Sequence, residues 1–318
     1  MEVLEVRLLG QLHIQRGKQV VTDLLTPKLQ ELLCYLLLFG DRPHPREPLA
    51  SLLWASSSTA QSKRNLRQAL WQLQSSAAIR DHADTTDLLL VDAHWIQLNP
   101  AANVWLDVQA LDQAYSRSEG MPGLMLDATQ IQVLQAAVEL YQGDLLEGWF
   151  QDWCLHERER LQNIYLCVLE KLMDHCESCG QYEAGLAYGA RVLQCDGARE
   201  RTYRRLMRLH YLAGERSAAI REYDRCVKAL RRELDVTPSD RTVALYQQVR
   251  KGHLRVISRT ATSRCPPGEP LGSERLDLLS QLKEIQMDLV HLQDQLEDAI
   301  RRAEQVEVRR ADRSARQR

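Results

Sequence analysis

Residues 58–74, STAQSKRNLRQALWQLQ, decide how the N-terminal half folds. Placed on a helix, Leu66, Ala69, Leu70 and Leu73 recur at i, i+3, i+4 and i+7, the spacing of one buried stripe. Gln61, Arg64, Gln68 and Trp71 then point away from that stripe, and Lys63 and Arg67 flank it. No Asp or Glu occurs between residues 57 and 79. Arg and Lys suit phosphates and guanine edges, Gln and Asn suit adenine edges, and a face without carboxylates does not repel a duplex. A solvated amphipathic helix carries the same pattern, so the neighbouring segments have to choose between the two.

Upstream, residues 3–9 (VLEVRLL) and 11–15 (QLHIQ) have strand character and are parted by Gly10, which predicts a short antiparallel sheet. Thr26 and Pro27 open a helix that carries Leu29, Leu32, Leu33, Leu36 and Leu37 until Gly40 ends it. After DRPHP, a second helix from 46 to about 54 is expected to bury Leu49, Leu52 and Leu53. SSST then supplies the turn and N-cap before residues 58–74. Downstream, LLLVDAHWIQL predicts two strands around Val91, Asp92 and Ala93, a hairpin beside the third helix. Strands, three helices and a hairpin make a winged helix-turn-helix.

With those segments in place, residues 1 to about 100 resemble the DNA-binding domain of bacterial winged-helix regulators. TPKLQELLCYLLLFGDRPHPREPLASLLW followed by RNLRQALWQLQ is similar to the first half of the antibiotic-regulatory-protein class of bacterial transcriptional activators. The chain departs from that class at Trp71, Gln72 and Gln74, where relatives often carry Ser and further Arg. The wing has no glycine and holds Asp92, which implies weaker phosphate attraction. Residues and resemblance together assign double-stranded DNA contacts to Lys63, Arg64, Asn65, Arg67, Gln68, Trp71 and Arg46. Arg64, Arg67 and Gln68 would enter the major groove, while Lys63 and Arg46 hold phosphates. Trp71 either stacks on a sugar or thymine methyl or packs against its own wing.

The winged-helix domain is expected over 1–115, with the boundary in SRSEGMPGLML, where Gly120, Pro122 and Gly123 break every period. A helix over 129–141 follows. GDLLEGWFQDWCLHERERLQ then resembles the signature that opens the second half of the same activator class. Gly180-x-Tyr182-x-Ala184-Gly185-Leu186 recurs as Gly214-x-Arg216-x-Ala218-Ala219-Ile220, an offset of 34 residues, with Leu172 matching Leu206 and Met173 matching Met207. That period, with small residues at helix crossings, is the tetratricopeptide signature. Residues 125–252 should therefore stack as antiparallel helix pairs, as in the bacterial transcriptional activation domain of the class. The resemblance implies RNA polymerase as a partner.

A linker over 253–273 precedes an expected coiled coil over 274–308, whose seam is Leu278, Leu282, Ile285, Leu289, Leu292 and Leu296. That seam either pairs two copies into a homo-oligomer or covers an apolar face of its own chain. Residues 309–318 form a basic tail.

Length suits about two domains, and a net charge of −2 argues neither for nor against nucleic acid, because a local basic surface suffices. Leu, Ala, Arg and Gln dominate over 6% aromatics, which favours a mainly α protein with small β elements. MEVLEV lacks the basic start of a signal peptide, and the longest apolar run, 32–39, is too short to span a bilayer. A cytoplasmic protein with reduced thiols and no membrane association is expected. Phosphate-cradling, dinucleotide and HExxH motifs are all missing, so neither catalysis nor a cofactor is expected. Cys176 and Cys179 form a single CxxC, read as core or partly exposed thiols in preference to a metal or redox site. His156-Glu157 is read as a surface or packing pair. The competing reading is a protein-interaction adaptor that uses the repeat groove and whose winged helix no longer reads DNA.

Overall fold

The computed structural model describes residues 3–22, 25–76 and 87–252. The expected coiled coil, its seam from Leu278 to Leu296, the linker and the basic tail lie outside those residues.

Strands β1 (Leu4–Arg7) and β2 (His13–Arg16) pair antiparallel, with Val6 opposite Ile14, and β3 (Gln19–Val20) extends the edge. Alternation turns Leu4, Val6 and Ile14 inward, where all three are buried. A fourth strand, β7 (Val104–Leu106), lies parallel to β1, with Leu4 beside Val104 and Val6 beside Leu106. Parallel neighbours need a long crossover. Here that crossover is the whole helical head.

The head consists of α1 (Pro27–Leu38), α2 (Arg46–Leu53) and α3 (Thr59–Ser75). Pro27 starts α1 because its missing N–H falls where no intrahelical partner exists. Thr26 is extended there but makes no side-chain cap. Ser58 does cap α3, its Oγ accepting from the Gln61 N–H at 3.4 Å. Leu49, Ala50 and Leu53 form the buried face of α2, while Leu52 is 44% exposed. The expectation that Leu52 is buried is thus corrected: Ala50 takes the inner position and Leu52 falls on the helix flank. Strands β5 (Leu89–Val91) and β6 (Trp95–Leu98) make the predicted hairpin, and β4 (His44–Pro45) pairs with β6 to complete a three-stranded wing sheet.

Behind the head run α4 (Asp107–Ser118), α5 (Ala128–Leu140), α6 (Asp152–Ser178), α7 (Tyr182–Cys195), α8 (Glu200–Leu212), α9 (Arg216–Glu233) and α10 (Asp240–Lys251). The pairs α6/α7 and α8/α9 repeat with the 34-residue period read from Gly180 and Gly214. Both glycines adopt a left-handed φ, 71° and 81°, at the turn between paired helices. Leu172, Met173, Leu206 and Met207 are buried at the crossings. Gly189 lets α7 and α8 approach: a Cβ there would lie 2.5 Å from Leu206 Cδ2.

The described residues belong to one compact unit, in which the main apolar core runs from β1 into α6 and α8 and a smaller cluster of Tyr203, Cys226, Ala229 and Leu230 joins α8 to α9. The loop between α5 and α6 lies along the end of β1, with Leu146 N–H donating to Leu8 O at 2.8 Å and Gly10 N–H donating to Asp144 O at 2.9 Å. Arg158 on α6 secures that loop by donating to the carbonyls of Leu145, Leu146 and Trp149. Trp153 meets Tyr35 of α1 edge-on at 5.5 Å between centroids.

Candidate nucleic-acid interface

The α3 helix is amphipathic in the way its sequence predicts. Ser62, Leu66, Ala69, Leu70 and Leu73 are buried, and Lys63, Arg64, Arg67, Gln68, Trp71 and Gln74 are exposed. Ser62 is tolerated in the core because its hydroxyl donates to the carbonyls of Trp54 and Ser58, which also fixes the turn between α2 and α3. Arg64, Arg67 and Gln68 make no side-chain hydrogen bond or ion pair among the described residues. Trp71 stands 68% exposed.

The other three residues are more engaged. Asn65 is half-buried and accepts from Gln61 Nε2 at 2.7 Å. Lys63 forms an ion pair with Glu47 of α2, and that contact holds the Glu47 carboxyl below its usual pKa. Arg46 donates from Nη1 to the Asp92 backbone carbonyl at 2.7 Å, which ties the start of α2 to the wing turn. Arg46, Glu47, Lys63, Leu66, Arg67 and Ala93 together line a hollow of about 230 Å³ between α2, α3 and the wing. Glu47 is not legible from residues 57–79, because the acid that reaches the basic face comes from the preceding helix.

Asp92 has a structural role. Its carboxylate accepts from the N–H groups of His94 and Trp95 at 2.6 and 2.7 Å, while Asp92 N–H donates to Trp95 O. Backbone donors closing the turn depress its pKa. A side-chain acceptor thus shapes the hairpin tip.

Elsewhere the side chains form packing contacts. Cys176 is buried, and Cys179 is exposed at the end of α6 with His175 Nε2 3.6 Å from its sulfur. Among the described residues no group of three or more His, Cys, Asp or Glu is placed to hold a metal ion. Burial pushes the Cys226 thiol up to about 12, so it stays protonated. His156 is exposed, and Glu157 accepts from Arg160 at 2.8 Å. Tyr141 stacks on Tyr165 and Tyr223 on Tyr246, at 3.9 and 4.1 Å between centroids.

Residues 106–250 match the family model of the bacterial transcriptional activator domain. The chain carries a bacterial transcriptional activator domain over those residues. With a winged helix ahead of that domain, the chain has the module order of the antibiotic-regulatory-protein class. It is 25% identical over 252 residues to the transcriptional regulatory protein MoaR1 of Mycobacterium bovis (strain BCG / Pasteur 1173P2), covering 77% of this chain and 78% of that one. The MoaR1 of Mycobacterium tuberculosis matches to the same extent. Among solved structures, Mycobacterium tuberculosis EmbR in complex with a low affinity phosphopeptide aligns with a TM-score of 0.55 at 19% identity, over 90% of this chain and 71% of that one. This likeness concerns the fold. The matched stretch takes in α4, whose first residues lie inside the 1–115 expected for the winged helix. Among the described residues no helix is long and apolar enough to cross a membrane.

Proposed function

We propose that the chain is a bacterial transcriptional regulator that binds double-stranded DNA in a sequence-specific manner and activates transcription, acting in the cytoplasm with RNA polymerase as a partner. One observation carries the reading: the face of α3 bearing Arg64, Arg67, Gln68 and Trp71 is uncovered by any described part of the chain. Guanidinium forks pair bidentately with guanine edges, and a glutamine amide pairs with adenine. Arg64, Arg67 and Gln68 therefore read bases, and Trp71 stacks on a sugar or a thymine methyl. Arg46 and Lys63 approach the backbone from the hollow beside the wing, each already engaged by a protein acceptor. Asn65 holds Gln61 in place. The helical repeats offer the protein-binding surface. The seam at Leu278, Leu282, Ile285, Leu289, Leu292 and Leu296 pairs two copies, so that two heads engage neighbouring half-sites with avidity.

Selection of bound sequences from random duplexes by the full chain tests the reading. A common motif is expected, repeated at a fixed spacing. Recovery of unenriched sequence would contradict it.

A further inference from the structure

The helical repeats contain a second groove, remote in sequence from α3, between α7, α8 and α9. Leu186, Leu193 and Leu206 provide its apolar floor, and its volume is about 580 Å³. Glu222 of α9 lines it and is only 5% exposed. One carboxylate oxygen, Oε1, accepts from Arg225 Nη1 at 2.8 Å. The other, Oε2, is buried and has no hydrogen-bond partner. His210 does not supply one: its Nδ1 lies 2.9 Å from Glu215 Oε2, and its Nε2 is 3.9 Å from Glu222 Oε1. Buried acceptors are nearly always satisfied, so this oxygen marks a place for a donor from outside the chain. Lys228 also lines the groove, is exposed, and forms no ion pair among the described residues.

We infer that this groove binds a small zwitterionic molecule of dipeptide length, its ammonium on Glu222, its carboxylate on Lys228 and its apolar side chains on the leucine floor. Spacing supports that class. Six residues of helix separate Glu222 from Lys228, about 9 Å of rise. Two extended residues span about 7 Å, and the flexible lysine stem covers the remainder. The groove volume falls among small-molecule sites. Occupancy would bridge α9 to α7 and α8, giving the repeats a ligand input that does not depend on how the head contacts DNA.

Calorimetric titration of the full chain with L-leucyl-L-leucine, its N-acetyl derivative and its C-terminal amide tests the assignment. The free dipeptide is expected to bind saturably at one per chain. Acetylation and amidation should each weaken binding about tenfold or more, because each removes one charge-assisted contact. Glu222→Gln, with its helical circular dichroism unchanged, should weaken the free dipeptide by a similar factor while leaving the acetylated form nearly unaffected. No saturable binding of any of the three at millimolar concentration would overturn the inference. Equal binding of the free and acetylated dipeptides to the wild-type chain would overturn it too.

Discussion

The carboxylate of Asp107 lies 2.8 Å from the backbone nitrogen of Leu8, joining the first residue of α4 to the end of β1. The same carboxylate accepts from Leu9 N–H at 2.9 Å and from Val108 N–H at 2.8 Å. Burial raises its pKa, while the backbone donors from Leu9, Leu8 and Val108 pull the other way. Three converging N–H groups at a helix start make a site that only an acceptor-only side chain satisfies. Asp107 thereby fastens the head to the helical repeats.

Asp107→Asn keeps the size but can place an amide donor against N–H groups. We expect a loss of about 1–3 kcal/mol in unfolding free energy, read by denaturant titration. Near wild-type stability would show that the junction is held elsewhere.

Glu47 restrains the basic face. Its pair with Lys63 is exposed and contributes little to stability, yet its charge stands where a phosphate would approach. Glu47→Gln should tighten binding to random-sequence duplex and steepen the salt dependence by about one ion. Unchanged affinity would remove Lys63 from the DNA contacts.

Gly123 admits no side chain: a Cβ would lie 2.1 Å from the Lys171 backbone carbonyl oxygen. Gly123→Ala should cost about 1–3 kcal/mol by overpacking, while the uncovered face of α3 keeps its duplex affinity once the variant is folded. Thermal unfolding and a binding titration on the same sample check both halves.

Glu200 of α8 anchors the start of α10, accepting from Ser239 N–H at 2.8 Å and Ser239 Oγ at 2.6 Å. Burial pushes its carboxyl up, but the bonds from Ser239 and Thr242 outweigh that, and its pKa falls below 4.5. A depressed folded pKa stabilises above the unfolded value and ceases to do so as pH falls through the folded one. The docking of α10 should thus weaken below about pH 4.5, and Glu200→Gln should abolish that part of the dependence. Hydrogen exchange of α10 amides between pH 6 and 3.5 would show it, and an identical profile in the variant would contradict it.

The sequence made the local structure legible wherever one residue pattern has a single physical solution. The Leu66, Ala69, Leu70, Leu73 stripe, the helix start at Pro27 and the Gly180/Gly214 period all appear in the structure as expected, whereas Thr26 makes no side-chain cap. Long-range pairing was another matter. Nothing in VWL announces that β7 lies parallel to β1, because strand partners are chosen by the global chain path. Asp107 as an acceptor for Leu8, and Glu47 as a partner for Lys63, likewise depend on contacts between separate elements. Leu52 shows the limit of hydrophobicity alone, since a short helix has room for only one inward row.

The central claim is that the uncovered face of α3 reads duplex DNA through Arg64 and Arg67. Its most direct test is the binding of a selected duplex, titrated with salt, by the wild-type chain and by the Arg64→Ala/Arg67→Ala double variant. The account predicts that wild-type affinity falls linearly with the logarithm of salt concentration. It also predicts that the double variant, at equal stability, binds about thirtyfold more weakly or worse, from at least about 1 kcal/mol per base contact. Wild-type affinity in the double variant would contradict it.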